Sequence, residues 1–576
     1  MLGEPFPLHL DIAGAPGLPP AFVFLAGAIL LLLVGRRRRL QQAVLILTPL
    51  AGVLNLLTLE AGSSFVWEAM QFDLVQLRVD RLSVLFGLLF HLGAFLGVIY
   101  SLRVHDRAQH VAALAYAGSA LGAVFAGDLI SLFFYWEGMA VSSAFLVWAG
   151  RTRESNGAGL RYLAMHLLSG LLLLAGAVMH YRATGSIEFD FIGVDTLPGS
   201  FILVAFGIKC GFPLLHSWIV DGYPQSTPGG TVFLSMFTTK VAVYALARGF
   251  PGTDILVPIG TIMALFPIFY AVIENDLRRV LGYSMINQIG FMVVGVGIGT
   301  ELALNGAVAH AFNEVLFKGL LFMTMGAVLL RVGHVLGSDL GGLYKSMPVT
   351  TVCCVVGAAS ISAFPLFNGF ISKSMIMAAM VEQGHTIGWL GLLFASAGVF
   401  HHAGIKIPYF AFVGHDSGLR VREAPRSMLL AMIVAALLCV LTGSWPGLLY
   451  GLLPWEVEYA PYTYPHVMVQ LQLLLFSALA FAWLNLVGIY PPELRSVNLD
   501  ADWLYRRLGM RISLAAARAL EGAPGFVARP LRANTSRLRE IVGPGSALAR
   551  SAETGTAALL VGVLLAGYLL IYYLSS

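Results

Sequence analysis

The sequence predicts an all-α polytopic membrane protein of about 16 transmembrane helices, and three observations carry that expectation. Of 576 residues, 58% are hydrophobic and only 11% charged, whereas soluble domains carry about a quarter charged residues. Apolar runs of about 20 residues, each able to cross a ~30 Å hydrocarbon core, recur along the whole length. Two of these runs are broken by proline at corresponding places in the two halves of the chain, the sequence signature of two inverted repeats built around two broken helices. The expected organisation is N-terminal helices over 1–109, a first repeat over 110–250, a second, inverted repeat over 251–415, and C-terminal helices over 416–488. An amphipathic segment on the cytoplasmic face over 489–554 and a final helix over 555–576 complete it.

Met1 to Pro20 has neither a basic start nor a cleavage site and does not read as a secretory signal. The first span, Ala21 to Gly35, ends at Arg36 to Arg39. The positive-inside rule puts those arginines in the cytoplasm and the N-terminus outside. Following the spans onward, Arg103, Arg151, Arg278, Arg279, Arg331, Lys345 and Arg420 fall on inner loops, while Glu188, Asp190, Asp254, Glu301 and Glu456 fall on outer ones. One register satisfies this asymmetry throughout. Between the second and third spans, Glu60 to Asp80 alternates as a short hairpin would.

Lysine usage points to function. Of 35 lysines and arginines only six are lysines, and five of these (Lys209, Lys240, Lys318, Lys373 and Lys406) lie in or beside apolar spans. Arginine keeps its proton in a protein, whereas a buried lysine readily exchanges one. Lys209 and Lys240 each sit about 14–15 Å along their spans at ~1.5 Å per residue. An ionisable group at that depth costs on the order of 3 kcal/mol to insert and marks an ion or proton pathway.

The other candidates cluster around these lysines. Glu137 lies nine residues beyond Asp128, again about 14 Å deep, and Asp128 reads as a helix cap. His166 reads equally as a packed core histidine or as a relay member. In the seventh span Lys209 is followed by Pro213, which breaks the helix, and by His216 and Asp221 toward the inner end, where protons would be taken up. In the eleventh, His310, Asn313, Glu314 and Lys318 follow helical spacing and share one face, as a hydrogen-bonded relay requires. The twelfth repeats the broken design with Pro365, Gly369 and Lys373. Lys406, near the inner edge of the thirteenth, reads equally as a pathway residue or as a snorkelling side chain.

Some chemistry is excluded. Cys210, Cys353, Cys354 and Cys439 sit in apolar runs without metal-ligand spacing. Gly295, Gly297 and Gly299 follow no strand and form no nucleotide loop. No cofactor, metal or nucleic acid is expected, and the chain carries no catalytic site of its own. Between Gly488 and Ala552 ten arginines, Trp503 and Tyr505 alternate with apolar residues, which suits a segment lying on membrane lipid or against a neighbouring subunit.

The motifs DLISLFFYWEGM, GIKCGFPLLHSWIVDGYP, GTVFLSMFTTKVAVYALAR, ENDLRRVLGYSMINQIGF, HAFNEVLFKGLLF and FPLFNGFISK, between Asp128 and Lys373, resemble the antiporter-like proton-translocating subunits of respiratory complex I, membrane hydrogenases and Mrp-type cation/proton antiporters. The resemblance is strongest to the D component of Mrp-type Na+/H+ antiporters. It implies that Glu137 pairs with Lys209, that Lys240 continues a central hydrophilic axis, that His310 and Lys318 are the next relay positions, and that Lys373 is the terminal lysine. Glu314 departs from the pattern, since many members have a second histidine there. The implied protein is a proton/cation-translocating subunit of a multisubunit antiporter, multi-pass in a bacterial inner membrane. Its implied partners are other antiporter-like and small membrane subunits. The alternative is the proton-pumping membrane subunit of a redox-driven complex, an NADH:quinone oxidoreductase or membrane hydrogenase. Protons are the expected cargo and Na+ stays an open second one, since no cluster of oxygen ligands picks out a site for it.

Overall fold

The computed structural model describes residues 17–512 and 515, apart from 36, 63, 70, 492, 496, 497 and 510. Helices α1 (Pro20–Leu33) and α2 (Arg38–Leu57) lead to a hairpin of β1 (Ser64–Ala69) and β2 (Phe72–Arg78), where the alternating pattern placed one. There follow α3 (Arg81–Ser101), α4 (Arg107–Phe125), α5 (Leu129–Trp148) and the long α6 (Arg153–Thr184). The seventh span is split into α7 (Leu197–Cys210) and α8 (Ser217–Gly222), and the eighth into α9 (Pro228–Met236) and α10 (Thr238–Gly249). Beyond them lie α11 (Leu256–Ile273), α12 (Leu277–Ile298) and α13 (Glu301–Val332). The twelfth span is α14 (Pro348–Ile361) and α15 (Asn368–Glu382). Then α16 (Thr386–Val399) runs on through π-helix over Phe400–Ile405 and Tyr409–Val413, before α17 (Arg426–Ser444) and α18 (Tyr464–Leu486).

Twelve helices among the described residues are long and apolar enough to cross a membrane, with α9–α10 and the extended α16 each taken as one. Helices α1, α7 and α14 are apolar but shorter. These helices form one compact unit that ends at Asn498; a second holds Glu68–Phe72 and a turn of π-helix at Leu504–Gly509. Residues 516–576 lie outside the described residues, and with them most of the expected amphipathic segment and the last expected span.

Helix starts follow local chemistry. Asp80, Asp106, Asp128, Thr152, Thr196, Thr227, Asp276 and Thr300 each accept a backbone N–H of the first turn, satisfying donors that a helix leaves free. The two interruptions are strained as well as proline-bearing. Among the described residues five non-glycine residues have positive φ, and three of them lie there: Leu214 (71°) in the first break, Ala363 (57°) and Leu366 (75°) in the second. Left-handed backbone costs such residues about 1–2 kcal/mol each, so surrounding packing must hold it. In the second break the hold is visible: Tyr462 Oη accepts Leu366 N–H at 3.1 Å, and Ser444 Oγ donates to the Leu366 carbonyl at 3.2 Å.

Candidate functional site

Three buried lysines, Lys240, Lys373 and Lys406, lie against helix ends. A helix leaves its last carbonyls without partners and carries a partial negative charge there, so a lysine is stabilised at that position. Lys240 Nζ donates to the Ser235 carbonyl at 3.1 Å, in the last turn of α9. Lys373 Nζ donates to Ile361, the last residue of α14, at 2.7 Å. Lys406 Nζ donates to Val272 at 2.6 Å and Glu274 at 2.7 Å, where α11 ends. At the end of α7 the Ile208 carbonyl accepts instead from Trp218 Nε1 at 2.8 Å. Breaking the helices thus creates the acceptors that hold buried ammonium groups.

Lys209 differs from the others. Its Nζ donates to the Trp136 carbonyl at 2.5 Å and stands 4.3 Å from the centre of the Trp136 ring. Glu137 is the next residue along α5, yet the two side chains form no direct ion pair, and Glu137 Oε1 has no hydrogen-bond partner. The carboxylate lies against Gly170 of α6, where a Cβ would come within 1.6 Å of Oε1. Glycine at 170 is what gives that carboxylate its space. Behind Lys209, His166 packs on Tyr162 and Trp218, with ring centres 4.2 and 4.5 Å away.

At the centre of these groups is the ion pair between Lys240 Nζ and Glu314 Oε2, 2.7 Å apart with neither side chain exposed. The glutamate that departs from the histidine pattern is therefore the counter-charge of the central lysine. One turn along α13, Lys318 Nζ donates to Ser284 Oγ of α12 at 2.8 Å. One turn the other way, His310 Nδ1 bonds Ser372 Oγ at 2.9 Å, and Asn313 Nδ2 donates to the same hydroxyl at 3.0 Å and to the Asn368 carbonyl at 2.8 Å. Lys373 follows Ser372 in α15, its ammonium 5.0 Å from the Phe291 ring centre. His310, Asn313, Glu314, Lys318 and Lys373 are all buried in this region.

Toward the arginine-rich face the placements depart from simple expectation. Asp221 is held by Arg161 through two hydrogen bonds, at 2.7 and 3.0 Å. His216 is buried with its ring 4.6 Å from that of Phe266. Lys406 does not snorkel: its side chain is fully buried and pairs with Glu493 at 2.9 Å. Arg278, counted above as a loop cation, is also buried. It donates to the carbonyls of Pro224 (2.7 Å) and Ser226 (2.8 Å) and to Thr231 Oγ1, pinning the turn between the seventh and eighth spans to α12.

Residues 126–401 match the family described as "NADH:quinone oxidoreductase/Mrp antiporter, TM". The match takes in just under half of the chain. The chain is 28% identical to hydrogenase-4 component B of Escherichia coli over 65% of its own length and 63% of that protein. It is 30% identical to the D component of the Na(+)/H(+) antiporter of Alkalihalophilus pseudofirmus, over 51% of its length and 64% of that protein. It thus spans somewhat under two thirds of these relatives. The fold is shared with a chain of the Mrp complex from Dietzia sp. (TM-score 0.69, 21% identity, covering 76% of this chain and 95% of that one). It is shared also with a chain of the membrane-bound sulfane sulfur reductase, an archaeal respiratory membrane complex (TM-score 0.71, 23% identity, 95% and 99%). The chain is therefore a multi-pass membrane protein similar to antiporter-like chains, and those relatives are subunits of multisubunit complexes.

Proposed function

We propose that this antiporter-like subunit moves protons through Glu137, Lys209, Lys240 with Glu314, Lys318, His310 and Lys373, as part of a multisubunit monovalent cation/proton antiporter. The observation that carries the reading is the Lys240–Glu314 pair. A fully buried ion pair gains little stability over an apolar one, whereas a pair set between Lys209 and Lys318 on neighbouring helices can pass a proton while staying compensated. Moving the proton from Lys240 to Glu314 neutralises both without stranding a charge.

The two-repeat architecture supports the same reading. Counted as spans, α4 to α10 and α11 to α16 number five each, and lengths recur between them: α6 and α13 are each 32 residues long, and α7 and α14 each 14 and each ending at a break. Asp128 and Asp276 each cap the second helix of their set and close an isolated antiparallel bridge, to Glu188 and Leu336 respectively. An odd number of five spans per repeat inverts the second relative to the first. With about 16 spans and the arginine-rich loops inside, the N-terminus lies outside the bacterial inner membrane.

Proton transport measured with a pH-sensitive dye in everted vesicles tests the path at Lys240. Lys240→His should keep part of the activity because imidazole titrates, and Lys240→Arg should lose it because guanidinium holds its proton. An arginine variant equal to wild type would remove Lys240 from the path.

A second reading, the proton-pumping subunit of a redox-driven complex, is favoured by the nearly end-to-end match to a chain of the sulfane sulfur reductase. Flavin or iron purifying with the native complex would select it. Their absence, together with sodium-dependent proton exchange, would select the antiporter.

A further inference from the structure

The π-helical part of α16 carries titratable groups that the path above does not use. His401 and His402 lie in Phe400–Ile405, and Lys406 follows directly. Such π-helical turns are rare inside α-helices and recur at functional sites. His402 is fully buried; its ring interacts with the Gly398 carbonyl one turn back, but neither ring nitrogen makes a well-formed hydrogen bond. Leaving buried polar atoms in that state is unfavourable, so packing alone does not account for the residue. The stretch is pressed onto the second helix break: a Cβ at Gly404 would lie 2.3 Å from Ser362 Oγ, beside the Ile361 carbonyl that holds Lys373.

The charged and titratable groups around His402 are Lys318 of α13, and His401 and Lys406 of its own element. Around Lys406 stand Glu493, which follows α18, and Glu274 at the end of α11. Glu274 is in turn 3.7 Å from Arg279, whose side chain is 38% exposed, so the cluster reaches the surface there.

We propose that His402 and Lys406 form a second proton branch, joining Lys318 to the face at Glu274 and Arg279, with Glu493 as the counter-charge of Lys406. His402 accepts a proton on one ring nitrogen and releases one from the other. Lys406, docked on the α11 carbonyls, exchanges with the face through Glu493. The branch rests on the proton-path reading above, and the experiment separates the two.

Everted vesicles from cells making the full chain with its partner subunits are compared for wild type, His402→Gln, Lys406→Arg and Lys240→Arg. His402→Gln, which cannot titrate, should lower dye-reported proton transport about a hundredfold at unchanged amounts in the membrane. Lys406→Arg keeps the charge that pairs with Glu493. It should lose transport to a similar degree, and its residual rate should no longer vary with pH on the Glu274 side. If His402→Gln fails to accumulate, Lys406→Arg decides. A wild-type rate and pH profile in whichever variant accumulates overturns the branch. Loss in Lys240→Arg beside full activity in His402→Gln leaves the main path standing and sinks only the branch, whereas full activity in Lys240→Arg sinks the path itself.

Discussion

At the scale of single residues the proposed path depends on glycines and hydroxyls as much as on charges. Gly170 leaves room for the Glu137 carboxylate, since a Cβ there would stand 1.6 Å from Oε1. Gly170→Ala should push that carboxylate aside and cut transport toward the level of Glu137→Gln, with the protein still present in the membrane. Wild-type transport in Gly170→Ala would show that the carboxylate's placement does not matter. Glu314 offers a sharper case, because it neutralises Lys240 in a fully buried site. Glu314→Ala strands an ammonium and should cost about 3–5 kcal/mol if that group stays charged. A fall in thermal midpoint together with lost proton transport is expected; a stable, active Glu314→Ala would sever the pair from function. The ionisable residues were legible in the sequence because charge in an apolar span is conspicuous. Gly170 and Ser372 were not, since either type is common in membrane helices and only a neighbour across the helix gap gives it a role.

At the scale of elements, the two broken helices and the discontinuity at Phe237 place acceptors in the interior. Pro213 and Pro365 announced the first two. Nothing in the run from Pro228 to Gly249 announces the third, which Tyr116 from α4 fixes by accepting Thr238 N–H at 2.9 Å and bonding Thr238 Oγ1 at 2.6 Å. Tyr116→Phe should therefore lower transport without abolishing expression, because it frees the first turn of α10 that carries Lys240. Full transport in that variant would show that the discontinuity holds itself. The strained break at Leu366 yields a second expectation. Leu366→Gly removes the left-handed penalty at an exposed site, and should raise stability by up to about 1 kcal/mol after glycine's own entropic cost. A lowered melting temperature in detergent would mean that the leucine side chain, not the backbone, matters there.

At the scale of the whole molecule, the Asp80–Arg248 pair joins the start of α3 to the end of α10. Arg248 Nη2 reaches both carboxylate oxygens, at 3.0 and 2.7 Å, and its Nε donates to Tyr244 Oη at 2.9 Å. Burial raises the Asp80 carboxyl, and the Arg248 guanidinium, the Ser83 N–H and Arg78 together more than offset this, holding it below the ordinary 3.8. A depressed carboxylate stabilises the fold above its unfolded value and loses that contribution as pH falls through the folded one. The pair should therefore be at full strength at pH 7 and weaken only below pH 3.8. Asp80→Asn should cost about 3 kcal/mol at pH 7 and progressively less in acid, read from melting temperature across pH; a cost independent of pH would remove charge from the explanation. Orientation can be read on the same scale. All four native cysteines are buried, so single cysteines at Glu154 or Tyr344 should resist impermeant thiol reagents in intact cells, and one at Ser186 should react. The reverse pattern would exchange the two faces of the protein.

The sequence by itself determined the class, most of the spans, the two proline-marked helix breaks and most of the charges that lie in the interior. Hydropathy, proline placement and buried lysine are local signals, strong because a bilayer penalises each exception. Tertiary structure decided which groups meet. Glu314 belongs to Lys240; Lys209 rests on the Trp136 carbonyl without bonding Glu137 directly; Arg278 and Lys406 are buried, not solvated. The physical reason is that a helix face shows which residues point inward, whereas the partner of an inward charge is set by the register of a helix distant in sequence, and no spacing along one chain segment encodes that register.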